Sequence, residues 1–241
     1  MKTRLYHVLG DHDIEDADSL EVWKQVTGMS RSYYAFDVRD IHVVVLDTIT
    51  GDGAIHPKCS KDALCQKLTK NYEALLAQDI SEQSAKIKRV KERLDERKQV
   101  IENSRNIKIR NRGSISQSQL DWLAKDLQQT KRTKVVIFSE LPIFLHTRSD
   151  GKIFDIRNRD KLQEILRSSG KVIVSIAGDA HEWGESKEAN IHYYVVGSFT
   201  VSQGEWAYLE WGESEAVLVR QTSSRATERT VSNQQKDYSE E

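Results

Sequence analysis

Three times in this chain a run of strand-forming residues ends on a small residue and hands over to an acid. Tyr6-His7-Val8-Leu9 leads into Gly10-Asp11-His12-Asp13, Val135-Val136-Ile137-Phe138-Ser139 into Glu140-Leu141-Pro142, and Val172-Ile173-Val174-Ser175-Ile176-Ala177 into Gly178-Asp179-Ala180-His181. Almost continuously apolar runs of this length read as strands covered on both faces, as in a largely parallel sheet. In such sheets the crevice at the carboxyl ends of the strands is where ligands bind. The pattern therefore predicts an α/β fold that gathers Asp11, Glu140, Asp179 and the histidines beside them at one edge.

The remaining elements follow the same logic. Tyr34, Phe36 and Val38 alternate as one face of a strand, Arg39-Asp40 reads as a tight turn, and Ile41 to Leu46 is a second buried strand interrupted by His42, which is read as structural. Ser116 and Gln119 form a capping box opening a helix with Leu120, Leu123 and Leu127 on one face. Leu162, Ile165 and Leu166 mark another helix, ended by Gly170. Residues 191–196, 206–211 and 216–219 read as a closing run of antiparallel strands, and residues 222–241, polar and rich in Ser and Thr, as a disordered tail. His146 lies in the loop after the second motif, either within reach of the site or as an ordinary loop histidine.

One stretch breaks the pattern. From about residue 59 to 106 there is no Gly or Pro, and charge dominates. Ile80, Ile87, Leu94 and Ile101 recur every seven residues, a coiled-coil-like seam. The stretch is a helical insertion, as one long helix or as a hairpin restarting near Asp79 and Glu82. It either packs on its own domain or carries assembly, through a second copy or a partner chain. Residues 86–112 hold eleven Lys or Arg against four Asp or Glu, but aromatics for base stacking are missing, so a nucleic-acid role is not favoured. The domain division expected is 1–58 with 107–221 as the body, 59–106 as the insertion and 222–241 as the tail.

Overall charge excludes little: the net value is −1, which gives no reason to expect a polyanionic partner or an anionic membrane surface. No apolar run reaches the roughly 20 residues of a membrane span. The only cysteines, Cys59 and Cys65, are read as free thiols, in keeping with a reducing, cytoplasmic setting.

The motifs, in this order, resemble the calcineurin-like metallophosphoesterases. That family has Gly-Asn-His-Asp/Glu after one strand, a His two residues before a Pro after another, and Gly-His-x-His after a third, with a Gln-Leu-x-Trp-Leu helix between the first two. The counterparts here are Gly10 to Asp13, Glu140 before Pro142, Gly178 to His181, and Gln119-Leu120-Asp121-Trp122-Leu123. Residues 32–37 and 43–48 also look like the family. The resemblance implies a layered sandwich of two mixed sheets flanked by helices, lacking the first strands: the family's opening Asp-x-His strand and Gly-Asp loop have no counterpart. It implies Asp11, Glu140 and Asp179 at one metal site, His181 at a second, His12 as proton donor to the leaving group and Asp13 as its orienter.

The departures share a direction. Asn, His and His of one family site are replaced by Asp11, Glu140 and Asp179. Carboxylates suit Mg²⁺, Mn²⁺ or Ca²⁺ better than Zn²⁺. The other reading is decay, in which no metal is bound and loop acids persist because water solvates them. Two functions are thus expected from the sequence: a metal-dependent hydrolase of phosphodiesters or nucleotide diphosphates, weak or inactive as this chain alone, or a non-catalytic assembly module on a degenerate phosphoesterase fold.

Overall fold

The computed structural model describes residues 5–14, 17–51, 63–76, 84–108, 112–201, 204–212, 215–222 and 226–232. In chain order these form a 3-10 turn (Asp11–Asp13), α1 (Ala17–Thr27), β1 (Tyr34–Val38), β2 (Ile41–Val45), α2 (Ala63–Leu76), α3 (Ser84–Lys108), β3 (Arg112–Gly113) and α4 (Gln117–Gln129). There follow β4 (Lys134–Ser139), β5 (His146–Thr147), β6 (Ile153–Ile156), α5 (Arg159–Ser169), β7 (Val172–Ala177), β8 (Gly184–Glu188), β9 (Ile191–Val195), β10 (Trp206–Trp211), β11 (Glu215–Gln221) and β12 (Ala226–Ser232).

Six strands make the central sheet, in the order β1-β2-β4-β7-β9-β8. The inner four, β2, β4, β7 and β9, run parallel, and antiparallel hairpins close both edges. The core strands are apolar on both faces because both faces are covered. On β4, Val135 and Ile137 join the cluster containing Leu120, Leu123, Leu127, Leu162 and Leu166 of α4 and α5, while Val136 faces the other way. There it meets Ala216, Leu218 and Val231 of the three-stranded sheet β10-β11-β12. The architecture is helices, mixed sheet, second sheet, as the resemblance implied.

Three differences from the sequence reading have physical causes. Leu5 to Gly10 forms no strand. The β1–β2 hairpin takes that edge, and the His7 backbone is satisfied by a phenol instead: its N–H donates to the Tyr34 hydroxyl at 2.9 Å, which donates to the His7 carbonyl at 2.8 Å. Residues 226–232 are a strand, not tail: their polar, β-branched composition suits an edge strand whose Val231 is buried in the second core. Residues 233–241 lie outside the described residues. Cys65 is disulfide-bonded and fully buried, so the argument from free thiols to a reducing compartment does not hold. The other cysteine, Cys59, lies outside the described residues. Among the described residues no helix is long and apolar enough to cross a membrane.

Among the described residues the insertion holds two helices, α2 and α3. α2 packs on α3 through Cys65, Leu68 and Leu94, with Tyr72 against them. Leu94 is thereby buried inside the chain, and Ile87 is half-buried. Ile80 lies outside the described residues, as does the side chain of Ile101.

His42 proves structural. Its Nδ1 lies 2.7 Å from Asp37 and its Nε2 2.7 Å from Asp126, tying the β1–β2 hairpin to α4; Arg132 also binds Asp37. Two carboxylates holding both ring nitrogens favour imidazolium: the Asp126 bond chiefly raises the pKa above 6.5, and the Asp37 bond adds to it against the cost of burial. A raised folded pKa means that the bridge stabilises fully at low pH and is lost as pH rises through that value. An NMR titration should place His42 above 6.5 and His42→Gln should flatten part of the stability loss on the alkaline side. A His42 that titrates at or below 6.5 would show that the double bridge is wrong.

Candidate metal centre

Because β2, β4 and β7 are parallel, their carboxyl ends lie at one edge, and the loops leaving them are laced together there. β2 runs into Asp47, whose carboxylate accepts the N–H groups of Ile49 and Thr50 and the Ser32 hydroxyl. Gln119 of α4 pins the same residue, accepting from its N–H at 2.9 Å and donating to its carbonyl at 2.8 Å. Ser116 caps α4 through the Gln119 N–H, so the Gln side chain serves the strand and not a reciprocal cap. The Thr48 hydroxyl accepts from Leu141 N–H at 3.0 Å, and Ser139 donates to the Leu141 carbonyl at 2.8 Å. These bonds shape the loop that presents Glu140. The Glu140 carbonyl in turn accepts from Gly178 N–H at 3.0 Å, joining it to the next motif.

Beyond Gly178 the chain turns sharply. Ala180 N–H donates to the Gly178 carbonyl at 2.7 Å, and Asp179 and His181 take left-handed φ values of 60° and 59°. Non-glycine residues held there store strain, of order 1 kcal/mol or more each, which a site can use to aim side chains. The first motif is a 3-10 turn in which Gly10 N–H donates to Asp13 at 2.9 Å. Glycine matters at position 10: a Cβ there would lie 3.3 Å from Glu140 Oε1.

Asp11, Glu140 and Asp179 thereby meet. Among the described residues they are the one group of three or more potential ligands whose donor atoms all lie within 4.8 Å of one another. Asp11 Oδ1 and Asp179 Oδ2 are buried without a hydrogen-bond partner. Burial first, then the neighbouring acids Asp179, Asp11 and Asp13, push the Glu140 carboxyl up to about 8. Burial, then Asp11, raises Asp179 to about 7, with Lys152, His12 and Arg148 acting against the rise. Orphaned, mutually repelling carboxylate oxygens are costly in a protein interior. A hard divalent cation is the partner that removes the cost, and three carboxylates are the donor type that Mg²⁺, Mn²⁺ and Ca²⁺ take. The residues therefore fit such an ion.

The other sequence candidates are not members of this group of three. His181 is exposed, two residues beyond Asp179, and not in the group. His12 Nε2 stands 3.8 Å from Asp11 Oδ1 with its side chain 96% exposed, and Asp13 spends an oxygen on Gly10 N–H. His146 is buried between Phe144 and Phe154, with Nε2 unpartnered and 3.9 Å from Glu182. Burial lowers its pKa, keeping it neutral. The sequence reading overlooked Arg148 and Lys152, which act on Asp179 from the β5–β6 hairpin; Asp150-Gly151 between them was the available turn signal.

Against this geometry, comparison with known proteins gives a fold likeness. No family model and no curated protein sequence matches the chain. Among solved structures, a dimetal phosphatase from Danio rerio superposes with a TM-score of 0.61 at 18% identity, over 94% of this chain and 71% of that one. A purple acid phosphatase, PPD1 from yellow lupin (Lupinus luteus) seeds, gives 0.47 at 9% identity, over 85% of this chain and 33% of that one, too distant to add to the argument. The shared fold is that of a dimetal phosphatase.

Proposed function

We propose that this chain is a metal-dependent phosphoester hydrolase domain for phosphodiesters or nucleotide-diphosphate-type substrates, with slow turnover on its own. The observation that carries the reading is the convergence of Asp11, Glu140 and Asp179 with two of their buried oxygens lacking partners. The fold of the zebrafish dimetal phosphatase supports it. Asp11, Glu140 and Asp179 would hold a divalent ion, which supplies Lewis-acid polarisation of a phosphoryl group and positive charge against the developing anion. His12, exposed and with its Nε2 3.8 Å from Asp11, would donate a proton to the leaving group.

The test is a melting curve with Mg²⁺, Mn²⁺ or Ca²⁺, followed by a phosphodiester assay with the best ion. A ligand that binds only the folded state raises the melting temperature, so unchanged melting with all three would refute the metal reading. His12→Ala should lower turnover about 10²-fold for poor leaving groups and little for good ones. Equal losses would remove His12 from that role.

A second reading draws on the 96% exposure of His12 and the absence of His181 from the ligand group. On it, the fold is a non-catalytic platform, with the helical insertion as its assembly surface. Metal-induced stabilisation without hydrolysis of any phosphoester would favour it.

A further inference from the structure

We propose that the β5–β6 hairpin forms the anion-binding side of this site, with Arg148 and Lys152 selecting reacting groups that carry two or more negative charges over monoanionic diesters. The proposal rests on the hydrolase reading above, adds to it the residues that meet the substrate's charge, and narrows its two substrate types toward the nucleotide-diphosphate type.

The hairpin is short and well determined. His146 pairs with Phe154 and Thr147 with Ile153, and Arg148 N–H donates to the Lys152 carbonyl at 2.8 Å across the turn. Gly151, at φ 83°, closes it with an N–H to the Arg148 carbonyl. Side chains two apart on a strand share a face, so His146, Arg148, Lys152 and Phe154 lie together. Both cations indeed sit over the buried Phe154 ring, Arg148 Cζ at 5.7 Å and Lys152 Nζ at 5.4 Å from its centre.

That face is locked onto the loop bearing Asp179. Ser149 N–H and hydroxyl donate to the two oxygens of Glu182, each at 2.7 Å. An Arg148 terminal nitrogen donates to the carbonyl of Ala180, the residue after Asp179, at 3.4 Å. Arg148 is therefore held against the loop that carries Asp179, and Lys152 over the same Phe154 ring.

The bland explanation is a turn-stabilising ion pair between Arg148 and Asp150. It accounts for part of Arg148 alone. A guanidinium has five N–H donors; Asp150 takes one from Nε and one from a terminal nitrogen, and Ala180 takes a third. One N–H on each terminal nitrogen is left for a ligand. Lys152 forms no ion pair with any described carboxylate, yet is held over the same ring at the same edge.

Charge gives the selectivity. With its carboxylates ionised around one divalent ion, the trio keeps a net negative charge and repels a dianionic phosphoryl group. Arg148 and Lys152 set positive charge against it on the Asp179 side; Asp150 offsets part of Arg148, whereas Lys152 forms no ion pair with a described carboxylate. A monoanionic diester has less need of them.

The experiment uses the full chain with Mn²⁺ and, as probes, inorganic phosphate and dimethyl phosphate, by calorimetry. The double variant Arg148→Met with Lys152→Met should weaken phosphate binding about tenfold or more and dimethyl phosphate much less, since charge-assisted contacts are the stronger kind. Lys152→Met alone leaves the Arg148–Asp150 pair and the turn intact, and should show the same preference at smaller size; Lys152→Arg should restore it. The Mn²⁺-induced melting shift should persist in every variant. Equal weakening of both probes, no weakening, or no phosphate binding by the parent would overturn the proposal. A parent that binds phosphate through the hairpin but shows no Mn²⁺ shift would refute the metal reading while upholding the anion site.

Discussion

Glu140→Gln is expected to make the metal-free protein more stable at pH 8 and to abolish its stabilisation by Mn²⁺. Burial, reinforced by Asp179, Asp11 and Asp13, raises the Glu140 pKa from 4.5 to about 8. A raised folded pKa contributes stability that is whole below the unfolded value and lost as pH climbs through the folded one. The window is therefore about pH 4.5 to 8, and the cost at its upper end is on the order of 3–4 kcal/mol. Gln has the same shape and no charge. At pH 8 the variant should melt several degrees higher, at about 2–4 °C per kcal/mol for a chain of this size. With a ligand removed, the Mn²⁺ shift should vanish, and the parent's falling stability between pH 5 and 8 should flatten. A variant that melts lower than the parent at pH 8, or keeps the metal shift, would show that Glu140 is not a buried, repelled ligand.

Gly113→Ala is expected to be the most damaging small change outside the site. Gly113 closes the insertion, and a Cβ there would fall 1.8 Å from the Thr48 carbonyl oxygen and 2.4 Å from Leu141 Cδ1. The first contact is with backbone, so the strand end must move. Thr48 accepts Ser114 N–H on that carbonyl and Leu141 N–H on its hydroxyl, so the shift would loosen the loop that carries Glu140. The expected loss is about 3 kcal/mol, with a weaker Mn²⁺ response, measured by urea unfolding. Gly28→Ala is the control: Gly28 sits at φ 70° with nothing within 4 Å of its Cβ, so only backbone strain of about 1 kcal/mol applies. A loss at Gly113 no larger than at Gly28 would contradict the close approach.

Much of the fold was legible because its signals are local. The apolar runs at 41–46, 135–139 and 172–177 have strand length and no polar face, so they had to lie inside a covered sheet. Once these strands are parallel, the acids that follow the second and third, Glu140 and Asp179, share an edge; Asp11 was nameable from its Gly-Asp-His-Asp motif, although residues 5–10 before it form no strand. The heptad in the insertion marked an apolar stripe, but periodicity cannot say what covers a stripe. In the structure, Leu94 is covered by α2.

What the sequence by itself determined is thus the buried strands at 41–46, 135–139 and 172–177, the helices α4 and α5, the two-sided burial of the central sheet and the identity of the three acids. Only the tertiary structure decided the rest. It alone left His181 outside the ligand group, because side-chain direction after a strand depends on turn geometry, here the left-handed φ at Asp179 and His181. It paired His42 with Asp126, 84 residues away, and it turned Arg148 and Lys152 from ordinary hairpin charges into neighbours of Asp179. It also set the charge state of the acids: an isolated Glu is ionised well below neutral pH, and Glu140 reaches about 8 because folding removes its water and brings other carboxylates beside it. Local pattern fixes which groups a strand delivers; desolvation and distance, which exist only after packing, fix what those groups can do.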